Sequence, residues 1–263
     1  MSAPPLLTAR KSTKAGAWLI VCFLILPVTI IIPVSLTDRP YLSLPAESLS
    51  LRHYVKLFTS PEWLSSFGQS FTIAFVSTAI ALVLGSLCAI GCWRLGNRIA
   101  NAVRLLMLVP LIVPAIAFVL GFYKLLADLR LLDSYTGVII AHAVTGIPYV
   151  FITVSAGLAG LDLRIEQAAR SLGASGRQVI WRVVLPNLKT ALASGALFAF
   201  MHSWDDLLLV LFIAGRVVYT LPRRMWDGIH YQLDPTMAAV AVVLIAVTTL
   251  FLSLDLFMCR RRA

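Results

Sequence analysis

The sequence predicts an all-α polytopic membrane protein of six transmembrane helices, with both termini on the cytoplasmic side. Three observations lead there. Of the 263 residues, 59% are hydrophobic and 13% charged, and the mean hydropathy is +0.89, a balance outside the range of ordinary soluble domains. The apolar residues fall into six blocks, each near the roughly 20 residues needed to cross a bilayer core. The basic residues are shared unevenly between the intervening segments, which sets orientation.

The first block runs from Ala17 to Leu36 behind Arg10, Lys11 and Lys14. A cleavable leader has the same charge order, but this run is span-length and carries Pro27 and Pro33 rather than a small-residue cleavage site. A retained first helix is expected, with residues 1–16 as a cytoplasmic tail and residues 17–263 as a single transmembrane domain. An external segment, about 37–70, follows. Within it, Leu51 to Phe58 reads as a short amphipathic helix.

The second block, Phe71 to Cys92, leads through a basic turn at Trp93–Arg104 into the third, Leu105 to Leu126. A short external turn, about 127–136, contains Asp133-Ser134, a start signal for the fourth block, Gly137 to Leu158. The fifth block is Ala191 to Ile213 and the sixth Met237 to Phe257. Between them an external segment, about 214–236, holds Leu221-Pro222 and a helical pattern from Arg223 to Tyr231. Pro110, Pro114 and Pro148 lie inside spans, where they bend or interrupt helices.

Fourteen of the 22 basic residues lie on one side: Arg10, Lys11, Lys14, Arg94, Arg98, Arg104, Arg164, Arg170, Arg177, Arg182, Lys189, Arg260, Arg261 and Arg262. That side is therefore cytoplasmic. The net charge of +10 reads as topology and contact with anionic lipid. Nothing here suggests nucleic-acid binding, because no aromatic-interleaved basic patch carries the charge. Cys22, Cys88, Cys92 and Cys259 form neither a CxxC nor a ligand set, so no metal is assigned.

The cytoplasmic interval of about 159–188 is the polar focus of the chain. Asp162 can cap a short helix with Glu166 in its first turns, followed by Gln167, Ala168, Ala169, Arg170 and Leu172. Gly173 is a natural stop. Ser175 then caps a second segment, Gly176 to Val184, expected to end before Leu185-Pro186. Ala168 and Ala169 are small enough for close approach of another surface, and Leu172 offers an apolar peg at the bend. An amphipathic helix lying on the membrane, held by Arg170, Arg177 and Arg182, is the competing description.

Two adjacent carboxylates, Asp205 and Asp206, sit within the fifth apolar block. A charged side chain in a bilayer core costs about 2.5–3.5 kcal/mol on insertion scales, so such residues pair, neutralise or face water. They are candidates for recognising a cationic solute. Trp204 offers an aromatic wall, and Tyr149 and Tyr123 offer neutral contacts along a pathway. One aspartate could instead pair internally while the other stabilises a helix break. His142 and His202 could line a path or simply pack.

The interval resembles the signature loop of the integral membrane permeases of bacterial binding-protein-dependent ABC importers. That pattern is Glu-Ala-Ala, three residues, Gly, nine residues, Ile-x-Leu-Pro. Gln167-Ala168-Ala169 takes the triplet, Gly173 the glycine, Val183 the isoleucine, and Leu185-Pro186 the final pair. Gln167 replaces the usual glutamate, with Glu166 just before it, about 100° away on a helix. Arg104 to Pro114, Gly146-Ile147-Pro148-Tyr149 and Ser203-Trp204-Asp205-Asp206 are similar to the polyamine branch of that family.

The resemblance implies a type I ABC importer permease fold in a bacterial inner membrane. It implies a second homologous permease subunit, two cytoplasmic ATPase subunits that use ATP and Mg, and an external solute-binding protein. It also implies alternating access, with residues Glu166 to Gly173 and Leu185-Pro186 coupling to the ATPase. The chain itself has no catalytic residues or cofactor, and it lacks a phosphate-binding loop. The implied solute is a polyamine such as putrescine or spermidine. Another small polar solute, an intramembrane enzyme using the aspartates and a non-transporting scaffold subunit are the alternatives.

Overall fold

The computed structural model describes residues 11–231 and 234–260, with side chains over 15–162, 164–230 and 234–253. Arg10, Arg261 and Arg262, counted in the charge asymmetry, lie outside the described residues, as do the side chains of Lys11, Lys14, Cys259 and Arg260. The described residues form helices and no strands. In order these are α1 (Lys11–Ser35), α2 (Arg52–Thr59), α3 (Pro61–Leu95), α4 (Arg98–Ile112), α5 (Ala115–Asp128), α6 (Tyr135–Ala159), α7 (Leu163–Ser171) and α8 (Gly176–Val179). A π-helical turn, Ile180–Val184, leads to α9 (Leu185–Asn187), α10 (Lys189–Asp205), α11 (Leu208–Ile213), α12 (Leu221–Tyr231) and α13 (Thr236–Arg260).

Four helices are long and apolar enough to cross a membrane over Ala15–Ser35, Pro61–Leu95, Tyr135–Ala159 and Thr236–Ser253. Two bent pairs bring the number to six. The first is α4 with α5, bent by 103°, and the second is Gly176–Asn187 with α10, bent by 69°. The third apolar block is thus not one straight helix. Pro114 has no amide hydrogen to give the Pro110 carbonyl, and the residue before a proline is pushed out of the helical region. Val113 accordingly lies at φ −72° and ψ 134°.

The fifth block is interrupted as well. α10 stops at Asp205, Asp206 is extended, and the apolar remainder forms the separate six-residue α11. The second span starts earlier than its apolar block, at Pro61, so the connection after α2 ends there. The basic turn after it contracts to Gly96-Asn97, where Asn97 caps α4 by accepting from the Ala100 amide at 3.0 Å. The segment from Gly176 does not end before Leu185-Pro186. It continues through the π turn to Asn187, because a proline at the start of a new helical turn gives up no needed donor.

The chain divides into two compact units. In the unit made of residues up to Ser60 with Gly228–Ile245, α2 buries His53 and Leu57. Tyr54 and Ser35 hydroxyls hydrogen-bond at 2.7 Å, and Lys56 pairs with Asp234 at 2.6 Å. The apolar side chains of α1 are mostly exposed, as expected of a surface that meets lipid.

In the unit of Pro61–Asp227 with the chain beyond Ile245, α6 packs against both α3 and α10. Small residues let the three approach. A Cβ on Gly146 would lie 3.3 Å from the Ala81 Cβ and 3.5 Å from the Ala199 Cβ. One helical turn away, the Ser203 hydroxyl accepts from Ser77 at 3.1 Å and meets His142 Nδ1 at 2.8 Å, joining the same three helices through a polar contact. Asp133, at φ 51°, accepts from the amides of Gly215 (2.9 Å), Arg216 (3.1 Å) and Val217 (3.0 Å). It thereby pins the α5–α6 turn to the chain after α11.

Candidate functional site

Two helix interruptions meet at one cleft. Its volume is about 410 Å³, and its walls include Pro110 to Ala115 at the α4–α5 break, Thr145 and Tyr149 of α6, and His202 and Asp206 at the α10–α11 break. Breaks of this kind leave main-chain carbonyls at helix C-termini without intrahelical donors, and those ends carry partial negative charge. The Pro110 carbonyl is one such group.

Asp206 contributes a carboxyl group. Its Oδ1 accepts from the Leu209 amide at 2.8 Å, which holds the carboxylate at the start of α11. Oδ2 has no partner among the described residues. Tyr149 and His202 stack obliquely beside it, with centroids 5.0 Å apart and planes tilted by 32°. His202 Nε2 is buried without a hydrogen-bond partner. One wall therefore offers a carboxylate, a phenol and an imidazole to a bound molecule.

The other pathway residues lie elsewhere. Asp205, the last residue of α10, is exposed and outside the cleft lining. Trp204 is 2% exposed, stacked on Phe200 at 5.8 Å and against the edge of Phe67 at 5.5 Å. Its packing inside the helix core explains why it is not a cleft wall. Tyr123 is exposed on α5, more than one turn beyond Val119, the last cleft residue of that helix. His202 lies in the last turn of α10, four residues before Asp206, and the break after Asp205 brings both to the cleft.

The second site is the corner between α7 and α8. Asp162 caps α7 by accepting from the Arg164 amide at 2.9 Å. At the other end, the Gly173 amide donates to the Arg170 carbonyl (2.9 Å) and the Ala174 amide to the Ala169 carbonyl (3.1 Å). This pair of reversed bonds closes a helix through a left-handed residue, and Gly173 has φ +85°. Ser175 and Gln178 form a reciprocal capping box on α8.

The corner presents Leu172, 89% exposed, with Gln167 and Ala168 beside it. Ala169, expected on an approachable surface, instead packs on the chain's own core. Leu185 does the same from α9, and Pro186 starts that turn.

Residues 81–260 match the profile of the family described as the binding-protein-dependent transport system inner membrane component. The chain belongs to this family. Members are permease subunits of ABC importers and not enzymes, ATP hydrolysis being the work of separate ATPase subunits. This one is a multi-pass protein of the bacterial inner membrane.

Among curated relatives, the spermidine/putrescine transport system permease protein PotC of Haemophilus influenzae is 26% identical, covering 94% of this chain and 96% of the relative. The putrescine permease PotI of Escherichia coli is 30% identical over 74% of this chain and 72% of its own. The trehalose permease SugB of Mycobacterium tuberculosis is 27% identical, covering 90% of each. Among solved structures, a bacterial ABC transporter that imports the acidic polysaccharide alginate superposes with a TM-score of 0.65 at 16% identity, over 98% of this chain and 99% of that one. A chain of the MetNI methionine ABC transporter gives 0.63 at 17%, over 76% of this chain and 95% of that one. These likenesses establish the type I importer permease fold.

Proposed function

We propose that this permease forms half of a translocation pathway for a small amino-bearing cation, a polyamine such as putrescine or spermidine. The observation that carries this reading is Asp206, whose carboxylate is fixed by one oxygen and offers the other to the cleft where two spans are interrupted. An ammonium group there gains a charge-assisted hydrogen bond, with Tyr149 and His202 supplying neutral contacts. Asp205, exposed at the end of α10 and outside the cleft lining, is assigned to the central pathway shared with a second homologous permease. The polyamine permeases among the relatives support the same solute class.

In this reading both termini are cytoplasmic, and the α7–α8 corner docks in one of two ABC ATPase subunits. ATP with Mg is used there and not by this chain. Leu172, Gln167 and Ala168 make the contact, Ala169, Gly173, Leu185 and Pro186 give the corner its shape, and Glu166 ties α7 to the rest of the chain. An external solute-binding protein delivers the solute. Closure of the ATPase pair moves the corner, and the spans joined to it open the pathway outward.

The test is reconstitution of the complete importer with its partner subunits and measurement of binding-protein-dependent ATP hydrolysis with putrescine, spermidine, arginine and trehalose. Stimulation by the polyamines supports the assignment. Stimulation by trehalose alone, with none by the polyamines, overturns it.

A further inference from the structure

The side chains of α7 sort onto two faces. Glu166 is 8% exposed, and Ala169, three residues on, packs against the cluster containing Cys92, Ala100 and Val179. Gln167, Ala168 and Leu172 face outward. The carboxylate adjoining the family triplet is thus turned into its own protein, and the triplet's first position carries an uncharged amide.

Glu166 Oε1 accepts from Arg170 Nη2 at 2.8 Å and Nε at 3.1 Å, and from Arg94 Nη2 at 3.3 Å. Arg170 lies one turn further along α7. Arg94 belongs to the last turn of α3, the 35-residue span. A surface pair four residues apart on a helix adds only about 0.2–0.5 kcal/mol and orders nothing beyond that helix. The Arg94 contact differs because it joins separate elements and because the Arg94 side chain is 30% exposed where that of Arg170 is 55%. A partly buried carboxylate that loses such a partner is left uncompensated.

We infer that Glu166 is a positioning residue for coupling, linking α7 through Arg94 to the end of α3 so that displacement of the corner moves that span directly. This rests on the corner being the ATPase-docking element. α7 otherwise meets the rest of the chain through its connections to α6 and α8 and through Ala169 on the apolar cluster, and the arginine adds a polar link to the end of α3.

The experiment uses the complete importer in proteoliposomes and reads solute taken up per ATP hydrolysed together with ATPase retained on purification. Glu166→Gln and Arg94→Gln each lower uptake per ATP by about three- to tenfold while ATPase retention stays at the wild-type level. The double variant is no worse than the worse single one, as interacting partners require. Wild-type uptake per ATP in both single variants, additive losses in the double, or loss of ATPase retention in Glu166→Gln overturns the proposal. Leu172→Asp separates the two readings. If it retains the ATPase and transports normally, the docking assignment itself fails, whereas impaired Leu172→Asp beside a normal Glu166→Gln removes the clamp alone.

Discussion

Asp205 and Asp206 are consecutive, yet the helix break between them sends one carboxylate to an exposed helix end and the other into a cleft, where it accepts from the Leu209 amide. The two are therefore separable by mutation. Asp206→Asn keeps an oxygen for the Leu209 amide and should leave the melting temperature of the purified importer unchanged. Asp206→Ala removes that acceptor and should destabilise the start of α11 by about 0.5–2 kcal/mol, the range for losing a helix-start acceptor. Thermal unfolding followed by intrinsic fluorescence checks both, and equal melting temperatures for the two variants would contradict the capping role.

Gly173 is required for its backbone and not for space. Its φ is +85°, and an added Cβ would meet nothing within 4 Å. Gly173→Ala should cost about 1–2 kcal/mol from the left-handed conformation alone and reduce ATPase co-purification. Gly173→Asn, a residue that tolerates this region, should be milder. An alanine variant as well coupled as wild type would refute the corner geometry.

At Gly146 the constraint is space. Gly146→Ala asks the Ala81 methyl to shift by tenths of an ångström, while the Ala199 methyl stays in ordinary contact. Gly146→Leu should overpack the crossing and destabilise the protein by about 1–3 kcal/mol. Comparison of melting temperatures in one detergent tests the ranking.

Asp133 supplies a pH signature. Burial opposes its charge, but the amides of Gly215, Arg216, Val217 and Val218 outweigh that and hold the carboxyl below the usual aspartate range. Its stabilising contribution is therefore fully present above the unfolded value near pH 4 and is lost as pH falls through the lower folded value. Asp133→Asn should melt lower than wild type at neutral pH, with the gap narrowing below about pH 4. A gap that stays constant with pH would show that the carboxylate charge is not involved.

The sequence carried the class and both helices of the α7–α8 corner, because hydropathy and capping are local signals. Asp162, Ser175 and Ser134 each accept at the helix start expected of them. Two apolar blocks concealed breaks, at Val113-Pro114 and at Asp206, because hydropathy reports the solvent and not backbone continuity. The proline and the aspartate pair were the visible hints. The cleft was only partly legible. Asp206, Tyr149 and His202 converge through packing of α6 on α10, a long-range relationship that no spacing encodes. The same holds for Glu166 and Arg94, which come from α7 and the end of α3.

The central claim is that the cleft takes a protonated amine at Asp206, and uptake of radiolabelled putrescine and spermidine by proteoliposomes containing the complete importer tests it most directly. Asp206→Asn should reduce uptake by about tenfold or more, the loss of one hydrogen bond to a charged group, with ATPase retention and melting temperature unchanged. Wild-type polyamine uptake by a well-folded Asp206→Asn importer would contradict the account.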